Sequence, residues 1–232
     1  MLAGVMHMLR ITLLGVLLAL AAFPALAAEQ CPRPPGIPEP RLEFSVTQSQ
    51  LVLHHDVDLL GLPRVQGHVE TVPPGWALQG LTFSNDKLEI GISWRIQRFS
   101  NGNVCLWIDK VTATLGLPEL QVYVAANYPE GSCEYRAILA HENRHVAINR
   151  DTVQAHVPAI RQSLLDGIRA SNPLFLSTEP DKQLLARRLQ SFTNMELQVM
   201  RAELRQRNGA IDTPEAYRQQ QKDSGCRNWK MK

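Results

Sequence analysis

The chain has 232 residues, of which 24 are Lys or Arg and 22 are Asp or Glu, and its formal net charge is +2. The basic residues are spread along the chain, so the composition argues against a nucleic-acid partner or an anionic membrane surface. The length suits one domain with a sizeable core better than two compact domains.

Residues 1–28 have the layout of a secretory signal peptide. Arg10 precedes an apolar run from Ile11 to Ala22, and the sequence Ala-Leu-Ala at 25–27 supplies a cleavage site. We therefore expect a mature chain that begins at Ala28 or Glu29, is secreted or periplasmic, and keeps no membrane span after cleavage. A retained membrane anchor is the alternative, but the apolar run is short for a span.

Four cysteines in an exported chain predict two disulfide bonds. They are Cys31, Cys105, Cys133 and Cys226. Of the three possible pairings, we expect Cys105 with Cys133 and Cys31 with Cys226, and free thiols are the alternative. Because there is no C-x-x-C pair, a thiolate metal site is not expected.

The segment 29–40 is rich in proline and predicts a stiff extended linker, because proline fits neither a helix interior nor a strand ladder. Strands are predicted from 41 to 124, where β-branched and aromatic residues often alternate with polar ones. The segments are "LEFSV", "QLVLHHDV", "HVETV", "LTFS", "KLEIGISWRIQRF", "VCLWIDKVTATLG" and "LQVYVA", with turns at "PPG", "SND" and "SNGN". The last turn predicts a hairpin.

Two long helices are predicted after the strands. The first covers 133–171, with Pro158 bending or dividing it. The second covers 181–207, with Thr178 as its cap, Pro180 in its first turn and Gly209 ending it. Strands followed by helices predict a single α+β domain from 41 to 232, with a mostly antiparallel sheet packed against the helices.

The sequence "HENRH" at 141–145 lies inside the first predicted helix. His141 and His145 are four residues apart, so both imidazoles project from one face and can share a metal ion. Glu142 lies beside that face, where a carboxylate can act as the general base on a zinc-activated water. The alternative is a solvated helix face on which Glu142 and Arg144 are exposed.

A catalytic zinc needs a third protein ligand, and the residues just after the motif are poor candidates. Asp151 has the spacing of the H-E-x-x-H-x-x-G-x-x-H/D pattern, but Ile148 stands where that pattern has glycine. In an unbroken helix Asp151 would lie about 9 Å further along the axis. His156 is further away still.

A glutamate on the second helix is the better candidate for a gluzincin-like third ligand. Glu196 falls within a predicted apolar stripe, where an unpaired carboxylate would be costly to bury. The stripe is formed by Leu185, Leu189, Phe192, Met195 and Val199. Glu203 is the second choice, Glu179 fits a charge at the start of the helix, and pairing of Glu196 with an arginine is the alternative.

Other residues near the motif suggest how a substrate would bind. An edge strand near "LQVYVA" is expected to hold an extended peptide by strand addition. Tyr128 or Tyr135 could donate to an oxyanion, although packing is the commoner role of such tyrosines. His54, His55 and His68 lie among strand residues and are interpreted as surface or structural.

The stretch "VCLWIDKVTATLGLPELQVYVAANYPEGSCEYRAILAHENRHVAINRD" resembles the bacterial predicted secreted zinc-dependent proteases, with a likeness that covers roughly Leu42 to Ile160. The resemblance implies a zincin-like fold, with His141 and His145 as metal ligands and Glu142 as the catalytic base.

The sequence therefore predicts a zinc-dependent hydrolase with Zn²⁺ on His141, His145 and Glu196. The expected partner is a peptide or protein substrate in the cell envelope or outside the cell. The alternative function is a non-catalytic binding or assembly domain of the cell envelope on the same fold, in which the histidines hold a structural metal or none.

Overall fold

The computed structural model describes residues 31–33, 35–67, 77–227 and 229. The signal peptide predicted at 1–28, and the strand "HVETV" with His68, lie outside these residues. Strands and helices are both present, so the predicted α+β class is confirmed. The elements are β1 Arg41–Gln48, β2 Val52–His54, a 3-10 helix Leu62–Gly67, β3 Gly80–Arg98, β4 Val104–Val124, α1 Cys133–Ala170, β5 Leu174–Leu176, α2 Lys182–Ile211 and α3 Pro214–Ser224.

The chain divides into two compact units. One consists of Met1–Glu43, Ile90–Thr112 and Leu164–Phe192, and the other of Phe44–Glu89, Ala113–Ser163 and Thr193–Lys232. Within the first, Trp107 packs with a buried disulfide, and Ile37 from the proline-rich segment lies against it. Within the second, the core joins strand β4 to helices α1 and α2 through Leu115, Leu117, Val153, Ile160, Leu197 and Met200.

Strand β4 is the interior strand of the sheet, because β1, β2, β3 and β5 all pair with it. Its pairing with β2 is parallel and its pairing with β5 is antiparallel. The predicted hairpin is confirmed, since Phe99 N donates to Asn103 O at the turn between β3 and β4. The sheet therefore contains one short parallel pairing, of β2 with β4, beside the antiparallel pairings of β4 with β3 and β5.

The turn predicted at "SND" is wrong, because strand β3 continues through these residues. Their polar side chains have partners in the fold. Asn149 on α1 donates to Ser84 Oγ, and Arg201 on α2 binds Asp86. Ser84 and Asp86 are two residues apart and so share one face of the strand. Polar residues here attach β3 to the helices and do not end the strand.

The two disulfides join Cys31 to Cys105 and Cys133 to Cys226. The expected pairing was wrong, because β4 is one strand of 21 residues rather than two short ones. Cys105 lies at the beginning of this strand, and Cys133 follows its end as the first residue of α1. Two disulfides indicate an oxidising, extracytoplasmic setting.

Helix α1 runs unbroken through Pro158, so that proline does not divide it as predicted. A proline removes the hydrogen bond to the carbonyl four residues before it, here that of Gln154. Both residues are exposed, so water can satisfy that carbonyl. Among the described residues, no helix has the length and hydropathy that a membrane span requires.

Helix α2 buries a different face from the one predicted. Leu185 and Leu189 are buried as expected, but Phe192 and Val199 are exposed and Met195 is 68% exposed. The buried face continues instead through Thr193, Leu197 and Met200. Asp181 accepts a hydrogen bond from Leu184 N and so caps α2 in place of Thr178, and the helix continues past Gly209.

We expect opposite effects from alanine at two glycines. A Cβ at Gly80 would lie 2.5 Å from Glu142 Oε1 and 2.7 Å from Ile138 Cγ2, whereas a Cβ at Gly209 would meet no atom within 4 Å. Gly80→Ala should lower the free energy of unfolding by about 1–3 kcal/mol through overpacking. Gly209→Ala should raise it by about 0.5–1 kcal/mol, since alanine favours a helix. Thermal unfolding followed by circular dichroism measures both, and a neutral Gly80→Ala would contradict this packing of β3 on α1.

Candidate metal centre

Helix α1 places His141 and His145 on one face, as their spacing predicts. The two Nε2 atoms are 3.0 Å apart, and both side chains are buried. Ser132 begins the helix by accepting a hydrogen bond from Tyr135 N. Helical geometry thus places both histidines on the same face of α1.

The carboxylate beside the pair belongs to Asp212. Its Oδ1 lies 3.0 Å from His141 Nε2 and 3.1 Å from His145 Nε2. Asp212 lies in the short connection between α2 and α3. These three side chains form a group that could hold a metal ion.

The structure does not bring Glu196, the predicted third ligand, to the pair. Asn208, which contacts His145, follows Glu196 by twelve residues on α2, about 18 Å along the helix axis. Glu203 instead accepts a hydrogen bond from His156, which together with Arg207 lowers the pKa of Glu203. Asp151 is exposed on α1.

Sequence reasoning missed Asp212 because it missed helix α3. The signals for α3 are present: Thr213 accepts a hydrogen bond from Ala216 N, Pro214 occupies the first turn, and Gly225 ends the helix at φ 66°. They mark where α3 begins and ends. They do not show that the connection before it returns to α1.

The second ring nitrogen of each histidine is held by an amide oxygen. His141 Nδ1 lies 2.8 Å from Gln220 Oε1, and His145 Nδ1 lies 2.8 Å from Asn208 Oδ1. Gln220 Nε2 also donates to Ala137 O, and Asn208 Nδ2 donates to Asn149 Oδ1. An amide oxygen only accepts, so with the amides in this orientation each Nδ1 donates to its amide.

Arg144 reinforces the amide contact at His141. Its Nη2 donates to Gln220 Oε1 at 3.1 Å and lies 2.9 Å from His141 Nδ1. The oxygen of Gln220 therefore accepts from both side chains. Arg144 is exposed, as the alternative of a solvated helix face expects, but it is also attached to α3 through Gln220.

With the proton on Nδ1, a neutral imidazole presents the Nε2 lone pair with which histidine binds a metal ion. The two Nε2 atoms and Asp212 Oδ1 lie 3.0–3.1 Å from one another, a spacing that either a proton on Nε2 or a metal ion among the three atoms can satisfy. Ligand atoms about 2.0–2.1 Å from a tetrahedral zinc ion would lie about 3.3 Å apart. The donor set and its spacing therefore fit a metal ion with a fourth position left for another ligand.

The proximity of these side chains also shifts the pKa values of Asp212 and His145. Burial raises the pKa of Asp212, but hydrogen bonds from His141 and His145, the charge of His145 and the Tyr217 hydroxyl outweigh it and lower that pKa. Burial lowers the pKa of His145, but its hydrogen bond to Asp212, the charge of Glu142 and its hydrogen bond to Asn208 raise it overall. The arrangement thus stabilises positive charge between the imidazoles and the carboxylate.

Glu142 lies against the start of β3. Its Oε2 accepts a hydrogen bond of 2.8 Å from Thr82 Oγ1, and the residue is only 4% exposed. Burial raises its pKa, although the charges of His145 and His141 and the Thr82 hydrogen bond act in the opposite direction. Glu142 is therefore buried and hydrogen-bonded, and not exposed as in the alternative interpretation.

A cavity of about 1050 Å³ opens beside these residues. Its lining includes the histidine pair, Glu142, Asp212, the start of β3 and Tyr217. Tyr217 donates from its hydroxyl to Asp212 Oδ1 at 2.9 Å, and its ring stacks on His141 with centroids 5.1 Å apart. The tyrosine at the site is thus on α3.

The two tyrosines that the sequence suggested have other contacts. Tyr135 is buried in a cluster with Val124 and Trp229, and its ring meets His55 edge-on. Tyr128 packs against the same cluster, and its carbonyl contacts the His55 ring. Neither is among the described residues that line the cavity.

The strand at the cavity also differs from the expected one. "LQVYVA" lies at the end of β4, which pairs with β2 there and has β3 as another neighbour, so it is not an edge strand. Residues 77–85, at the start of β3, line the cavity instead. Within the described part of the chain, β3 pairs with β4 alone and has one side without a strand partner.

Comparisons with protein-family models, curated proteins and solved structures found no match. The functional interpretation of the site therefore depends on its own geometry and chemistry.

Loss of an amide behind a histidine should weaken metal binding. Asn208→Ala should raise the dissociation constant for zinc by about tenfold to a hundredfold, because His145 loses the acceptor that fixes its proton and orientation. Competition with a chromogenic chelator measures this. Asn194→Ala, an exposed position on the same helix, should leave the constant unchanged; equal effects of the two substitutions would contradict the role of Asn208.

The two disulfides should differ in their effect on the site. Replacing Cys133 and Cys226 by serine frees the segment after α3 from the first residue of α1, and should lower zinc affinity about tenfold. Replacing Cys31 and Cys105 should cost similar stability, about 2–5 kcal/mol, without that loss of affinity. Zinc titrations of both double variants, at a temperature where both are folded, test this. Equal zinc affinities would show that the Cys133–Cys226 bond does not support the site.

Proposed function

We propose that the protein is a zinc-dependent peptidase that acts in the periplasm or outside the cell after removal of residues 1–28. Zinc is bound by His141, His145 and Asp212, and Glu142 is the general base. One observation carries this proposal: two imidazole Nε2 atoms and a carboxylate oxygen converge beside a buried glutamate. The resemblance of the sequence to predicted secreted zinc-dependent proteases, and its implied zincin-like fold, are in keeping with it.

The chemistry follows from this arrangement of side chains. Zinc, when bound, supplies a coordinated water of lowered pKa and polarises the substrate carbonyl. Glu142 would be the side chain that takes a proton from the attacking water and returns it to the leaving amine. Thr82 orients the Glu142 carboxylate, and Tyr217 orients Asp212 while its hydroxyl remains at the cavity.

The start of β3 offers a surface for an extended substrate. The strand forms one wall of the cavity, and its second side has no strand partner among the described residues. A peptide added there would form main-chain hydrogen bonds and run past the histidine pair. A polypeptide is therefore the substrate class that best fits the site.

Metal content tests the ligand set. Purified wild-type protein should contain about one zinc ion per chain, and His145→Ala and Asp212→Ala should lose most of it, because each removes a direct ligand. Glu196→Gln is the matched control and should retain the ion. Loss of zinc from Glu196→Gln but not from Asp212→Ala would instead support the ligand that the sequence suggested.

Hydrolysis of a mixed peptide library then tests the activity. Glu142→Gln should keep its zinc and lose peptide hydrolysis by at least about a hundredfold, because only the general base is removed. Full zinc occupancy with no hydrolysis by the wild-type protein would contradict a peptidase. That outcome would favour the non-catalytic envelope domain with a structural metal.

A further inference from the structure

Helix α2 presents a row of polar side chains to the cavity. Arg201, Arg205 and Asn208 are spaced by four and three residues, so they lie on one face, and all three line the cavity. Asn208 contacts His145. Arg205 is therefore about one helical turn from a residue in direct contact with the metal centre.

The two arginines of this row differ in their partners. Arg201 binds the Asp86 carboxylate with two nitrogens, its Nε at 3.0 Å from Oδ1 and its Nη2 at 2.8 Å from Oδ2. Arg205 is exposed, and no carboxylate of the described residues lies within ion-pair distance of it. Its neighbours at three and four residues are Arg201, Ala202, Asn208 and Gly209, which include no acid. Arg205 thus cannot be neutralised from its own helix.

The acidic groups of the cavity are already bound elsewhere. Asp212 contacts both histidines and Tyr217, and Glu142 is buried against Thr82. The guanidinium of Arg205 therefore faces the cavity without a fixed counter-charge from the described residues. A planar guanidinium with free donors binds a carboxylate in a bidentate manner, through two parallel hydrogen bonds.

We propose that Arg205 determines specificity by binding a carboxylate of the substrate. This inference rests on the proposed peptidase function and adds to it a substrate class: peptides that carry an acidic side chain, or a free carboxyl terminus, at a fixed distance from the cleaved bond. Both groups would offer a carboxylate to Arg205, and the peptides used in the test distinguish an acidic side chain from a free carboxyl terminus.

The test uses the zinc-loaded mature protein and a library of peptides from a digested proteome, with cleavage sites read by mass spectrometry. Wild-type cleavage should be enriched for Asp or Glu at one position, or for bonds at one distance from the carboxyl terminus. Amidation of the peptide carboxyl termini removes the terminal carboxylates and leaves the acidic side chains unchanged. Arg205→Gln should abolish the enrichment, Arg205→Glu should shift it to Lys or Arg, and Arg205→Lys should retain part of it.

Kinetics on one cleaved acidic peptide and its neutral amide counterpart quantify the contact. Arg205→Gln should lower kcat/KM about tenfold for the acidic peptide and leave it nearly unchanged for the neutral one. Arg161→Gln removes the same charge from an exposed position on α1 that does not line the cavity, and should match wild type.

Each result decides the proposal. Cleavage with neither of the two enrichments, or an enrichment that persists in Arg205→Gln, would overturn the role of Arg205 and leave the peptidase intact. Absence of any cleavage by the zinc-loaded wild-type protein would overturn the peptidase, and this inference with it.

Discussion

Two amide oxygens orient the histidines of the candidate metal centre. Gln220 and Asn208 accept from the Nδ1 atoms of His141 and His145, and both Nε2 atoms then face Asp212. Each amide is held in turn by a further contact, with Ala137 O or Asn149 Oδ1. A pair of histidines on a charged helix thereby faces a carboxylate in a group that could hold a metal ion.

The residues of the candidate site come from all three helices. Helix α1 supplies the two imidazoles, α2 supplies Asn208, α3 supplies Gln220, and the connection between α2 and α3 supplies Asp212. The hydrogen-bond chain continues from Asn208 through Asn149 to Ser84, and so reaches β3. The ligands are thus positioned by contacts among four elements, and displacement of any one of them would change the distance between ligand atoms.

The parts of the site that could be predicted from the sequence are those that depend on local geometry. The spacing of His141 and His145 places both imidazoles on one helix face, and the fold class and the β3–β4 hairpin follow from residue periodicity. Asp212 could not be found in this way, because a connection between helices has no periodicity and its position depends on how α3 packs. The buried face of α2 was misassigned at Phe192 for a related reason: neighbouring stripes on a helix contain similar numbers of apolar residues, and only the packing partner selects between them.

The bond between Cys133 and Cys226 closes a covalent ring that contains all three candidate ligands and both of their amide supports. The ring joins residues 93 positions apart, so its formation removes many of the conformations in which Asp212 is far from α1. In a reducing compartment the ring stays open, and the site must then assemble through non-covalent contacts alone. Oxidation of the Cys133–Cys226 pair would therefore favour the conformations in which the candidate ligands lie close together.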